Sequence, residues 1–259
     1  MAAGVIFDRS VSKRGPGLLC VPVQARDASG ALAKVARAGA LADLVELRLD
    51  LIPSPPVEVL VKASPVPVIA TVRSRGEGGA AEGAAGTTVD LLLRALKAGA
   101  AYVDVELGLP GKMRRILVQE AGPHRVVLSR HMTGRTPSRE ALIALLERMT
   151  GESPAVVKIV CRARRAGDAF RVLSLVPRAR ARGIGVSAFC MGERARASRI
   201  LSLRLGATLG YASLDEGDGT AEGQIPIRLM RRMLAPLRDR PFRTPSGLSL
   251  DAGTKEATP

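Results

Sequence analysis

The chain has no tryptophan and only two tyrosines and four phenylalanines among its 259 residues. With so few rings there is little to stack against unpaired bases, which argues against a single-strand nucleic-acid platform. It has two histidines, His124 and His131, and three cysteines, Cys20, Cys161 and Cys190, with no ligand spacing among them. No metal site is expected from that set. Three thiols, each in or at the end of an apolar strand-like run, read as buried free cysteines in a reducing compartment and not as a disulfide framework. No apolar run approaches the length of a membrane span, and residues 1–14 lack the apolar core of a signal peptide. The expectation is a soluble cytoplasmic protein with no membrane partner. Lysine is scarce too: only seven of the 39 basic residues are Lys, the rest Arg, within a formal net charge of +15. The densest basic cluster, Arg162, Arg164, Arg165, Arg171, Arg178, Arg180 and Arg182, spans a predicted loop and outer helix. It reads as solvated surface that can also attract an anionic substrate, and no nucleic-acid partner is expected.

What is abundant is Val, Leu, Ile and Ala, arranged as strand-like and helix-like segments that alternate eight times. The strands predicted are residues 18–23, 44–50, 67–73, 102–107, 125–131, 155–161, 184–190 and 207–214. The helices predicted are residues 29–38, 55–62, 87–97, 112–120, 138–149, 165–181, 194–205 and 225–238. Gly39, Gly99, Gly183 and Gly206 each follow a helix and precede a strand, where a left-handed cap suits glycine. Thr136-Pro137-Ser138 offers a helix start with a cap candidate. Eight such units predict an α/β chain closed into a single-domain (β/α)8 TIM barrel over residues 16–242. Residues 1–15 form an N-terminal segment, and residues 243–259, weakly patterned, read as a disordered C-terminal tail.

Lys158 lies in the middle of the apolar run Ala155-Val156-Val157-Lys158-Ile159-Val160-Cys161. Burial there disfavours the ammonium form, and a neutral amine in a dry pocket is what attack on a carbonyl to form a Schiff base requires. Taken alone, Lys158 fits equally a lysine buried against a carboxylate with no chemical role. Its neighbours decide. Period-two alternation puts Glu46, Arg48 and Asp50 on one face of the second strand, Thr71 and Arg73 on the third, Asp104 and Glu106 on the fourth, Ser129 and His131 on the fifth. The apolar faces must pack under the helices, so these groups point into the barrel, where aliphatic side chains are the norm. So much inward polarity reads as a site. Barrel sites sit at the C-terminal strand ends; His131 closes its strand and lands at the mouth, whereas His124 precedes the same strand and falls at the far face.

These pieces, in order, resemble the type I 3-dehydroquinate dehydratases, β/α barrels of the shikimate pathway. They are Glu46-Leu47-Arg48-Leu49-Asp50; Thr71-Val72-Arg73 through Glu77-Gly78-Gly79; Tyr102-Val103-Asp104-Val105-Glu106-Leu107; Ser129-Arg130-His131 with Thr136-Pro137-Ser138; Val157-Lys158-Ile159; Met191-Gly192 with Ser198-Arg199; and Ala221 with Gly223-Gln224-Ile225. The likeness runs from about residue 16 to residue 240. It implies that Lys158 forms an imine with the ketone of 3-dehydroquinate and that His131 removes the neighbouring proton and protonates the departing hydroxyl. It further implies that Glu77 orients His131 and stabilises its cation, and that Arg199 holds the substrate carboxylate. Glu46, Arg48 and Arg73 then hold ring hydroxyls and set the field around the lysine, and Thr220 and Gln224 belong to a closing loop. No cofactor is implied, and a homodimer is.

The chain departs from the family pattern at Met132, at Ala195 and in Thr220-Ala221-Glu222-Gly223-Gln224, where Ser-Ala-Pro-Gly-Gln is usual. Thr keeps the hydroxyl; Glu for Pro loosens the turn. Two other readings remain at this point. A class I aldolase barrel would share Lys158 but act on a phosphorylated sugar, for which a glycine-rich loop before a helix is needed. A basic, non-catalytic nucleic-acid-binding protein rests on net charge alone.

Overall fold

A computed structural model describes residues 17–235; the predicted N-terminal segment and C-terminal tail lie outside the described residues. In chain order the elements are β1 (Leu18–Val23), α1 (Ala28–Gly39), β2 (Leu44–Arg48), α2 (Val57–Ala63), β3 (Val68–Thr71), α3 (Ala85–Ala98), β4 (Tyr102–Glu106) and α4 (Gly111–Ala121). They continue with β5 (Val126–Met132), α5 (Arg139–Thr150), β6 (Val156–Arg162), α6 (Ala166–Leu173), α7 (Leu175–Ala181), β7 (Val186–Met191), α8 (Ala197–Arg204), β8 (Leu209–Tyr211) and α9 (Ile227–Leu234). All neighbouring strands are parallel, in the order β7-β6-β5-β4-β3-β2-β1-β8. The ends of that sheet meet where Thr208 N–H donates to Val186 O (2.8 Å) and Thr208 Oγ1 accepts from Val186 N–H (3.1 Å). The chain is a nearly closed (β/α)8 barrel, as its alternation predicted.

Two apolar sets hold it. Outside the strands, Leu47, Leu92, Leu117, Leu142, Leu146 and Ile159 are fully or almost fully buried between sheet and helices. Each such side chain contributes about 1.5–3 kcal/mol of transfer free energy. Inside the barrel, Leu44, Ile69, Tyr102, Val127, Val156 and Leu209 form a smaller plug near the N-terminal strand ends. Two residues further along each of β2, β3, β4 and β6 come Glu46, Thr71, Asp104 and Lys158, all buried. The plug closes the floor; the polar layer rests on it.

Local departures from the predicted elements have identifiable causes. The single helix predicted for residues 165–181 is two, α6 and α7. Pro177 lacks the N–H that would bond back to residue 173, and the Ser174 hydroxyl donates to Arg171 O instead (2.8 Å). Gly39 is not a left-handed cap, although Gly99, Gly183 and Gly206 are, with φ of 104°, 67° and 97°. Gly39 closes α1, and a Cβ there would sit 2.4 Å from Pro65 Cγ, so close packing is what requires glycine. Strand eight is much shorter than predicted, three residues, with one further bridge between Ser213 and Pro226. The predicted last helix is α9, and its expected residues 236–238 lie outside the described ones. Ser138 is the N-cap of α5, accepting from Ala141 N–H at 3.2 Å.

Candidate active site

The polar layer is one connected array. Lys158 Nζ donates to Glu46 Oε1 and to Asp104 Oδ2, each at 3.1 Å, and its side chain is 4% exposed. Thr71 Oγ1 donates to the same Glu46 oxygen (3.0 Å). Arg73 reaches Asp104 Oδ2 with Nη2 (2.8 Å) and both Glu106 Oε1 (3.0 Å) and Ser129 Oγ (2.9 Å) with Nη1. Ser129 in turn donates to Asp104 Oδ1 (2.5 Å). Burial works against the Asp104 charge, but Arg73 and Lys158 outweigh it and hold its carboxyl below the usual range. The dry, isolated amine expected from the sequence is therefore corrected: Nζ has two carboxylate acceptors. Its third neighbour is the Tyr211 ring, whose centroid lies 4.0 Å from Nζ.

Arg48 ends β2, and Asp50 follows on a 3-10 turn (Leu49–Leu51) that swings its carboxylate back to grip Arg48 at two points, 2.9 and 2.7 Å. Asp50 is thus the support of Arg48. Arg73, one residue beyond the end of β3 by two positions, is held by three partners, so it is an electrostatic centrepiece whose donors are largely committed.

His131 sits at the mouth, its side chain 12% exposed. Glu77 Oε2 accepts from His131 backbone N–H at 2.8 Å and lies 3.1 Å from Nδ1; Glu77 Oε1 accepts from Arg130 Nη1 at 2.9 Å. The turn that aims Glu77 is a 3-10 segment (Arg75–Glu77) ended by Gly78 at φ 85°, a conformation that glycine adopts without penalty. Burial, and then Glu106, push the Glu77 carboxyl up to about 7, against the pull of Arg73. Burial, followed by the charges of Arg73 and Lys158, depresses His131 well below its ordinary value. The ring is neutral near pH 7, and an ionised Glu77 fixes the tautomer with the proton on Nδ1 and the lone pair on Nε2. His124 lies exposed on the turn before β5, at the opposite end of the strand.

Arg199, on α8, is 2% exposed, and its only hydrogen bond among the described residues runs from Nη2 to Glu222 O (3.1 Å). Its Nε has no partner, and its Cζ lies 4.7 Å from the Phe189 ring centroid. Burial lowers it to about 10. A buried guanidinium without a carboxylate is costly, and an incoming anion would relieve it. Over it runs the loop after β8. Gln224 Oε1 accepts from Thr220 N–H (2.7 Å), and Glu222 pairs with Arg162 Nη2 at 2.7 Å. The Glu that replaces the usual Pro thus ties the loop to the end of β6 by charge.

A cavity of about 350 Å³ opens here, and Lys158, His131, Glu77, Glu46, Arg48, Arg73, Arg199, Thr220 and Gln224 all line it. The structure brings together every site residue expected from the sequence. The pattern placed Asp104 and Glu106 inward without a role, and Asp104 proves to touch Lys158. Tyr211 and Phe189 went unnoticed, because both lie in apolar runs where a ring reads as core; the one signal was that Tyr211 shares the inward register of Leu209. Elsewhere the basic cluster is partly neutralised, Arg171 by Asp168 and both Arg178 and Arg182 by Glu147, as befits a solvated face.

Comparison with known proteins gives a concordant picture. The family model described as type I 3-dehydroquinase matches residues 19–240. A chloroplastic bifunctional 3-dehydroquinate dehydratase/shikimate dehydrogenase of Arabidopsis thaliana is 34% identical over 221 residues, 83% of this chain and 36% of that longer protein. A 3-dehydroquinate dehydratase of Desulfotalea psychrophila is 32% identical over 196 residues, 75% of this chain and 87% of the relative. Among solved structures, the 3-dehydroquinate dehydratase of Enterococcus faecalis superposes with a TM-score of 0.75 at 25% identity, covering 85% of this chain and 94% of that one.

Proposed function

The chain belongs to the type I 3-dehydroquinase family, a family of hydro-lyases, and from that premise we propose that it dehydrates 3-dehydroquinate to 3-dehydroshikimate through an imine on Lys158. Glu46 and Asp104, each 3.1 Å from Nζ, are within reach of the proton that Lys158 must shed before it attacks the ketone. Condensation expels water and leaves a protonated imine, an electron sink that acidifies the adjacent C–H without a metal or cofactor. His131, with Nδ1 against Glu77, presents Nε2 to take that proton and form the enamine. The same imidazolium then returns the proton to the departing β-hydroxyl, which leaves as water. Hydrolysis of the conjugated iminium consumes one water and frees Lys158, so the turnover releases one water in total. Arg199 receives the substrate carboxylate through a fork suited to it; Arg48, Glu46, Thr220 and Gln224 surround the ring hydroxyls.

The observation that carries this reading is a single cavity holding Lys158, the His131–Glu77 pair and an Arg199 that lacks an anionic partner. A phosphate-sugar aldolase is less well served: the loop that would cradle phosphate presents Glu222, paired with Arg162, at the mouth. Turnover is tested by mixing the protein with 3-dehydroquinate and following the conjugated-enone absorbance of the product. A protein inert towards 3-dehydroquinate that cleaves a phosphorylated sugar would contradict the assignment. Family likeness also supports a homodimer, and three buried free thiols support a cytoplasmic setting. No helix among the described residues is long and apolar enough to cross a membrane.

A further inference from the structure

The strongest unexplained contact in the site is the Tyr211 ring beneath Lys158. Tyr211 is 3% exposed on β8, its centroid 4.0 Å from Nζ, with the Phe189 ring 6.1 Å away and tilted by 45°. Its hydroxyl is buried without a hydrogen-bond partner among the described residues. A buried hydroxyl with nothing to bond is a cost, so the group that matters here is the face.

We infer that the Tyr211 face stabilises the cationic nitrogen of the Lys158 imine, an inference that rests on the Schiff-base reading. An ammonium has three N–H donors, and here two of them meet Glu46 and Asp104. The iminium nitrogen formed from it keeps one N–H. At least one of those two hydrogen bonds is therefore lost when the carbon–nitrogen double bond forms, although the positive charge remains. Attraction between the charge and a ring face needs no N–H, so it survives the conversion intact. The ring lies among buried groups that exclude water, where such attraction is greatest. Tyr211 thus acts selectively in favour of the covalent intermediate, while the carboxylates favour the free ammonium. The four-carbon stem of Lys158 is also confined by the ring, which keeps Nζ at the centre of the barrel.

The test compares Tyr211→Phe, which keeps the face and drops the orphan hydroxyl, with Tyr211→Leu and Tyr211→Met, which keep apolar bulk without a π face. Each is made in a His131→Ala background, so that 3-dehydroquinate condenses but does not proceed, and the imine is trapped with borohydride over a range of ligand concentrations. Intact-mass measurement gives the apparent imine equilibrium, and near-ultraviolet circular dichroism checks folding. The Leu and Met variants are expected to lose about thirtyfold in that equilibrium, the worth of a desolvated cation–π contact, while Phe stays within about threefold. Equal trapping in all four proteins would overturn the inference. So would an equal loss in Phe, which would transfer the role to the hydroxyl. No adduct with Tyr211 intact would bring down the imine reading itself, and this inference with it.

Discussion

Replacing Glu77 with Gln should make the protein more stable and less active, and both effects should depend on pH. Glu77 is buried, with Oε1 on Arg130 and Oε2 on the backbone and ring of His131. Burial and Glu106 raise its carboxyl from 4.5 to about 7. The folded protein therefore retains a proton that the unfolded chain has released, and the stability linked to this group is complete below about pH 4.5 and lost as pH rises through 7. A shift of about 2.5 units at 1.36 kcal/mol each makes that loss ~3 kcal/mol. Glu77→Gln, neutral throughout, escapes it. The unfolding free energy of the variant minus that of the wild type should grow by ~3 kcal/mol between pH 5 and pH 8 and then level off. Over the same interval wild-type kcat/KM should rise with a midpoint near 7, because only the carboxylate form accepts Nδ1–H and leaves Nε2 basic. The variant should lack that limb and run roughly 10²-fold slower at pH 8. Urea titrations and initial rates across pH measure both. A stability difference that stays flat with pH, or an acid limb that persists unchanged in the variant, would refute the reasoning.

Other consequences are equally direct. His131→Ala should cost ~10²–10⁴-fold or more in kcat yet still form the imine, whereas His124→Ala, at the far end of β5, should be near wild type in the same assay. Arg199→Lys should raise the apparent substrate constant at least about tenfold, since charge-assisted hydrogen bonds of this kind contribute roughly 1.5–3 kcal/mol each; with an analogue lacking the carboxylate, both proteins should perform equally poorly. Glu222→Gln, which breaks the half-exposed pair with Arg162, should change kcat/KM by less than about fivefold. It should also narrow the difference between rates at low and high salt.

Period-two alternation made the inward faces of β2 to β6 legible, because helices on the outer side leave charged residues only the interior. Position along the strand separated His131 from His124 for the same reason. Alternation names a face but no partner. Lys158 on β6 meets Glu46 on β2 across the barrel, a pairing set by the stagger and closure of the sheet and invisible in local sequence. Tyr211 was hidden because a ring in an apolar run looks like core, and here it is core on one side and site on the other. Glu222 read as a loosened turn, yet its charge finds Arg162, sixty residues away in sequence. Gly39 and Pro177 show the same limit: their meaning lies in which atoms lie nearby.

The central claim is that Lys158 becomes covalently bonded to the substrate. Treating the protein with 3-dehydroquinate and borohydride, then mapping peptides by mass spectrometry, tests it most directly. The expected result is loss of activity with one reduced adduct, on Lys158, and no adduct on a folded Lys158→Ala variant. An adduct on another lysine, or full dehydration with no adduct at all, would contradict it.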